Sequence, residues 1–242
     1  MANEEKRKEY LQKVKNIMTN PRKNPYSRYH EQNFSTFNYG EMTPINSDII
    51  VNMPNARIIL SEKVHESLLA IKDVTVLKNV EIPFFLCGDE AYNEIIFNEC
   101  IIDENILSGV NSQTEANFSN EMLNRLQEKI EKNTIEENTN NEYKFVVCHG
   151  HSHPPIGDFY QNFSLGDFTS YIEMNQENPV FNDKKVELVG CVVTADEDIN
   201  FVFYDNIKNN FYRFLDVFVL DKENNYSRVN CYGQSQAKRY NI

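Results

Sequence analysis

Apolar positions recur along this chain with two periods, and the switches between them mark out the elements. Residues 3 to 18 set Tyr10, Leu11, Val14, Ile17 and Met18 on one helical face with Lys and Glu elsewhere, which predicts an amphipathic helix that docks on a surface. From Pro21 to about Asn55 the periodicity gives out and Asn, Pro, Ser and Tyr dominate, as in a loop or tether. The boundary between an N-terminal helical extension (1–55) and the main domain (56–242) is therefore placed near Asn55. After it, ARIIL reads as a strand, and Ser61 followed by Val64, Leu68, Leu69 and Ile71 reads as a capped helix. The apolar runs IPFFLCG (82–88) and AYNEIIFNECII (91–102) read as neighbouring strands turning back at Gly88-Asp89. Phe118, Met122, Leu123, Leu126 and Ile130 return to helical spacing, and the Asn- and Glu-rich residues 133 to 142 form a surface loop.

Next, YKFVVCHGHSHPP is a short buried strand running into three histidines, and SLGDFTSYIEM opens another helix. Two further strands, VELVGCVVTA and INFVFYDN, and the apolar run FYRFLDVFVL complete the set. Strands and helices interleaved in this way predict an α/β fold, a mixed central sheet flanked by helices, without internal repeats.

Composition changes this picture in three places. No stretch approaches the roughly 20 apolar residues of a membrane span, and the charged start MANEEKRKEYLQK has no apolar signal-peptide core, so a cytoplasmic protein without membrane contact is expected. A formal charge of -12 opposes binding to a phosphate backbone, which argues against nucleic acid as a partner. Five cysteines, Cys87, Cys100, Cys148, Cys191 and Cys231, stand beside apolar sequence with no C-x-x-C pair, and read as reduced structural thiols.

The chemistry concentrates at His151-Ser152-His153. Residues i and i+2 of a strand share a face, so both imidazoles can reach one ion. Asp167 follows one turn into a helix that Ser164 can cap, which aims its carboxylate back toward the strand end. Two histidines and a carboxylate make a three-ligand zinc site with a position open for water, as in catalytic zinc sites, whereas a closed structural site needs a fourth protein ligand. Hydrolysis at such a site also needs a carboxylate to move a proton, and the Ser164 hydroxyl is placed to stabilise an oxyanion or simply to cap the helix. His149 shares the alternation and reads as a packed or hydrogen-bonding neighbour of the ligands. Phe159, Tyr160 and Phe163 either line a substrate groove or anchor the loop that carries them.

These residues resemble the zinc metallopeptidases of the JAB/MPN+ (JAMM) family, whose signature is an upstream Glu, then H-[ST]-H-P, then S-x-x-D. Here the matching residues are His151-Ser152-His153-Pro154 and Ser164-Leu165-Gly166-Asp167, and Glu81 opens an apolar run that ends in Gly88. The resemblance spans roughly residues 56 to 220. It implies a cytidine-deaminase-like fold, zinc on His151, His153 and Asp167, and Glu81 rather than Glu90, Glu94 or Glu99 as general base. Asp158 is the alternative third ligand. The implied reaction is hydrolysis of a peptide or isopeptide bond, with a protein or peptide substrate such as the C-terminal tail of a ubiquitin-like protein. A non-catalytic scaffold of the same fold is the competing expectation. The metallo-β-lactamase pattern H-x-H-x-D-H fits poorly, because His153 stands where Asp is required.

Overall fold

The computed structural model describes residues 50–52, 56–91, 93–105, 118–136, 144–155, 163–177, 181, 186–205 and 210–232. Within them the chain forms β1 (Ile50–Asn52), β2 (Arg57–Ser61), α1 (Glu62–Lys78), β3 (Pro83–Ala91), β4 (Glu94–Ile101), α2 (Asn120–Glu136) and β5 (Lys144–His153). It continues with α3 (Leu165–Glu177), β6 (Val186–Thr194), β7 (Ile199–Asp205), β8 (Asn210–Phe214), β9 (Val217–Leu220) and β10 (Tyr226–Arg228). The predicted helix over residues 3 to 18 lies outside the described residues, and so do Asn55, Asp158, Phe159 and Tyr160.

All ten described strands join one sheet in the order β1-β8-β7-β6-β5-β3-β4-β2-β9-β10. The sheet is mixed: β5 and β6, β2 with both β4 and β9, and β1 with β8 run parallel, and the remaining pairs run antiparallel. Ile50–Asn52 adds an edge strand on the N-terminal side of Asn55. The α/β class with a mixed sheet and flanking helices is what the alternation of periods predicts.

Side-chain alternation gives the sheet two buried faces. On one, Phe84, Leu86, Val146, Cys148, Val189 and Cys191 pack under Val64, Leu68 and Ile71 of α1. On the other, Phe85, Cys87, Val147, Leu188 and Val192 meet Met122, Leu126 and Ile130 of α2 and Phe168, Tyr171 and Met174 of α3. α1 begins at Ser61, whose side chain accepts from Val64 N, and ends at Asn79, whose φ of 58° turns the chain out of the helix. Among the described residues no helix is long and apolar enough to cross a membrane.

Inside the main domain two boundaries differ from the expectation, and the first is the end of α2, which runs on to Glu136 into the 133–142 stretch read as a surface loop. Second, the β3–β4 hairpin does not turn at Gly88-Asp89, because both strands continue to Ala91 and Glu94 and the chain reverses beyond them, next to Asn93 at φ 71°. Gly88 instead marks a register shift within the pair, where a Cβ would lie 2.0 Å from the Ile96 carbonyl oxygen. A glycine inside a strand that signals close backbone approach looks, in one dimension, like a glycine that signals a turn.

Candidate metal centre

The site forms at the carboxyl end of β5. Val147, His149, His151 and His153 alternate onto the face covered by α2 and α3, and Cys148 and Ser152 point to the α1 side. Parallel pairing with β6 sets His149 beside Gly190 and His153 beside Thr194. Antiparallel pairing with β3 sets His151 beside Pro83.

The third ligand arrives on α3, which is seated by Tyr171. Its ring lies over Gly190, where a Cβ would come within 2.4 Å of the ring, and its hydroxyl donates to the His149 carbonyl at 3.1 Å. Asp167 precedes Tyr171 by one turn and so faces the same strand end. Ser164 and Asp167 close a reciprocal cap: Ser164 N donates to Asp167 Oδ2 at 2.6 Å and Asp167 N donates to Ser164 Oγ at 3.2 Å. The Ser164 hydroxyl also donates to Asp167 Oδ2 at 2.9 Å. One carboxylate thus caps the helix through one oxygen and turns the other toward His151.

His151, His153 and Asp167 each offer a ligand atom within 4.8 Å of the others, and all three residues are buried. The separations are 2.8 Å between the two Nε2 atoms, 3.3 Å from His151 Nε2 to Asp167 Oδ1 and 3.8 Å from His153 Nε2 to Asp167 Oδ2. Tetrahedral zinc with N and O ligands at ordinary bond lengths spaces its ligand atoms about 3.4 Å apart, so a small cation fits with adjustments of about half an ångström. The donor chemistry fits as well, because two imidazole nitrogens and a carboxylate oxygen lie within reach of one another, the donor set of a three-ligand zinc site.

Electrostatics favour the ionised, ligating state of Asp167. Burial alone would raise the Asp167 carboxyl, but His151, His153 and the two hydrogen bonds from Ser164 outweigh it and hold the group below its usual value. Burial pushes the His149 imidazole down to about 3, with His151 adding to the fall and Asp167 opposing it. His149 is therefore a neutral ring, enclosed by Phe85, Phe118 and Tyr171 with centroids 4.6 to 5.9 Å away. It stands beside the three-residue group without belonging to it.

Glu81 is partly buried and lies two residues before Pro83. The Ser152 N donates to the Ile82 carbonyl at 3.1 Å, so the β3–β5 pairing runs one residue past Pro83, and Glu81 is the residue next to that last contact. The other glutamates considered stand elsewhere: Glu90 pairs with Lys144 at the far end of the ladder, Glu94 bonds Arg57 and Glu99 bonds Lys129. Phe163 is buried against Phe168 and Tyr171, and Phe159 and Tyr160 lie outside the described residues. The five cysteines form no disulfide, and burial pushes the Cys87 and Cys100 thiols up to about 12 and Cys231 up to about 11. Sequence reading missed Tyr171, whose signal was its place four residues after Asp167.

No family model matches this chain, and no curated protein matches it. Among solved structures it is similar to the solution structure of protein DSY2949 from Desulfitobacterium hafniense, with 13% identity and a TM-score of 0.37 over 68% of this chain and 94% of that one.

Proposed function

We propose that this chain is a zinc-dependent metallopeptidase of the JAB/MPN type that hydrolyses a peptide or isopeptide bond, with the C-terminal tail of a ubiquitin-like protein as the substrate class. The observation that carries the reading is the convergence of His151, His153 and Asp167 from two separate elements on one buried point. His151, His153 and Asp167 would hold the ion, leaving the side toward Glu81 for substrate. Zinc, when bound, would polarise the scissile carbonyl and bring a water's pKa toward neutrality.

Glu81, next to the Ile82–Ser152 contact at the end of β5, takes a proton from the attacking water and passes it to the leaving amine. The Ser164 hydroxyl rests on Asp167 Oδ2 and swings from it to donate to the oxyanion that forms on the carbonyl.

Zinc content, measured on protein purified without chelators, tests the reading together with cleavage of ubiquitin-like conjugates and linear peptides. About one zinc per chain, lost in His151→Ala plus His153→Ala, with cleavage that Glu81→Gln abolishes while zinc is retained, is the expected outcome. Zinc without cleavage of any conjugate would favour the scaffold of the same fold, and absence of zinc after reconstitution would sink the enzyme.

A further inference from the structure

Ser152, between the two histidines, belongs to the motif but has no part in the chemistry above. Strand alternation turns it away from the metal group into the core beneath α1, where its side chain is fully buried. A hydroxyl there is costly unless bonded. Its oxygen accepts from Ile82 N at 2.9 Å and shares a hydrogen bond of 2.5 Å with Thr75 Oγ1.

Thr75 is unusual in its own element. The inner face of α1 is Val64, Leu68, Ile71 and Thr75, all fully buried, and the last is a hydroxyl where the stripe calls for valine. Its hydroxyl meets Ser152 across 77 residues of sequence.

The ladder explains why this contact matters. The β3–β5 ladder is paired as far as His151 and Pro83, a pair that exchanges no hydrogen bonds of its own in the antiparallel alternation. In the next pair Ser152 N bonds the Ile82 carbonyl, but Ile82 N bonds the Ser152 hydroxyl instead of a strand carbonyl. The hydroxyl therefore replaces a ladder bond at the point where the strand would part, between the two candidate ligands and beside Glu81. On its other side β6 holds the strand through the His153 and Thr194 register.

We propose that Ser152 and Thr75 are positioning residues that act through the strand end: they hold His151 and His153 at ligating separation and fix the backbone at Ile82 that leads to Glu81. The inference rests on the metal reading above. It is tested by zinc affinity, from competition with a chromophoric chelator, measured beside the stability of each zinc-free protein in denaturant. Ser152→Ala should weaken zinc binding by about 10- to 100-fold, the range for groups that support metal ligands, and the isosteric Thr75→Val by about 10-fold. Ser152→Thr and Thr75→Ser, which keep the hydroxyls, should restore most of the affinity. The two losses should not add in the double variant, since both act through one contact.

Wild-type zinc affinity in Ser152→Ala and Thr75→Val, with only zinc-free stability reduced, would overturn the proposal while leaving the metal site intact. A wild-type chain that binds no zinc would overturn the metal reading and this inference together, so the wild-type arm tells the two failures apart. Should Ser152→Ala fail to fold, Thr75→Val, which removes one hydroxyl without changing shape, decides the matter alone.

Discussion

At the residue scale, the two histidines and the aspartate could be found in the sequence because their geometry is local. Residues i and i+2 of a strand share a face whatever the fold, and Ser164 and Asp167 cap one helix start. Only the meeting of strand and helix needed the third dimension. Thr75 and Ser152 were illegible for the opposite reason, because a hydrogen bond spanning 77 positions leaves no spacing to read. The protonation states of this cluster carry a prediction. His149 has an ordinary value of 6.5 and a folded value of about 3, so between those limits the unfolded chain binds a proton that the folded chain refuses. Stability thus falls as pH falls through that window. Asp167, held below its ordinary value, has the same sign: its contribution is complete above 3.8 and is lost as pH drops through its folded value. In chelator, the denaturant midpoint of the native chain should decline from pH 6.5 to 4, and His149→Phe should flatten that decline by up to about 1.4 kcal/mol per pH unit, the slope of one proton. Parallel declines in the two proteins would show that His149 is not the refusing group.

At the element scale, periodicity and caps carried most of the information. Ser61 stops β2 and starts α1, and the apolar run before His151 forms β5. Where the reading slipped, at Gly88, a single letter had two physical meanings, and only the partner strand distinguishes them. The structure assigns the close approach, and its strength can be measured. A Cβ on residue 88 would lie 2.0 Å from the Ile96 oxygen and 2.9 Å from the Phe97 Cα, both backbone atoms that cannot rotate away. Gly88→Ala should therefore cost about 3 kcal/mol or more, at or beyond the upper end of ordinary overpacking, as the bulge between β3 and β4 opens. Urea unfolding of the variant checks it. A loss below about 1 kcal/mol, the lower end of that range, would mean that the bulge relaxes freely.

At the scale of the whole molecule, the sheet and the metal group have different claims on stability. The sheet is continuous through ten described strands and packed on both faces, so its integrity does not hang on one ion. α3 is attached through Tyr171, the packing of Phe168 and Met174, the Gln176 amide that donates to the Tyr204 hydroxyl, and the carboxylate that meets His151. Under the proposed reading, zinc would bridge β5 to the first turn of α3, and a ligand present at about 1,000 times its dissociation constant stabilises the bound state by about 4 kcal/mol. Most of that gain should appear where the ion joins the elements. Hydrogen exchange on zinc-loaded and chelated protein should show protection lost over residues 163 to 171 and at the end of β5, with β3, β4 and the interior of β6 unchanged. Uniform deprotection of the sheet would instead make the ion a structural support for the whole fold. Unchanged exchange over α3 would mean that Asp167 does not take part in binding, and would move the search for the third ligand to Asp158.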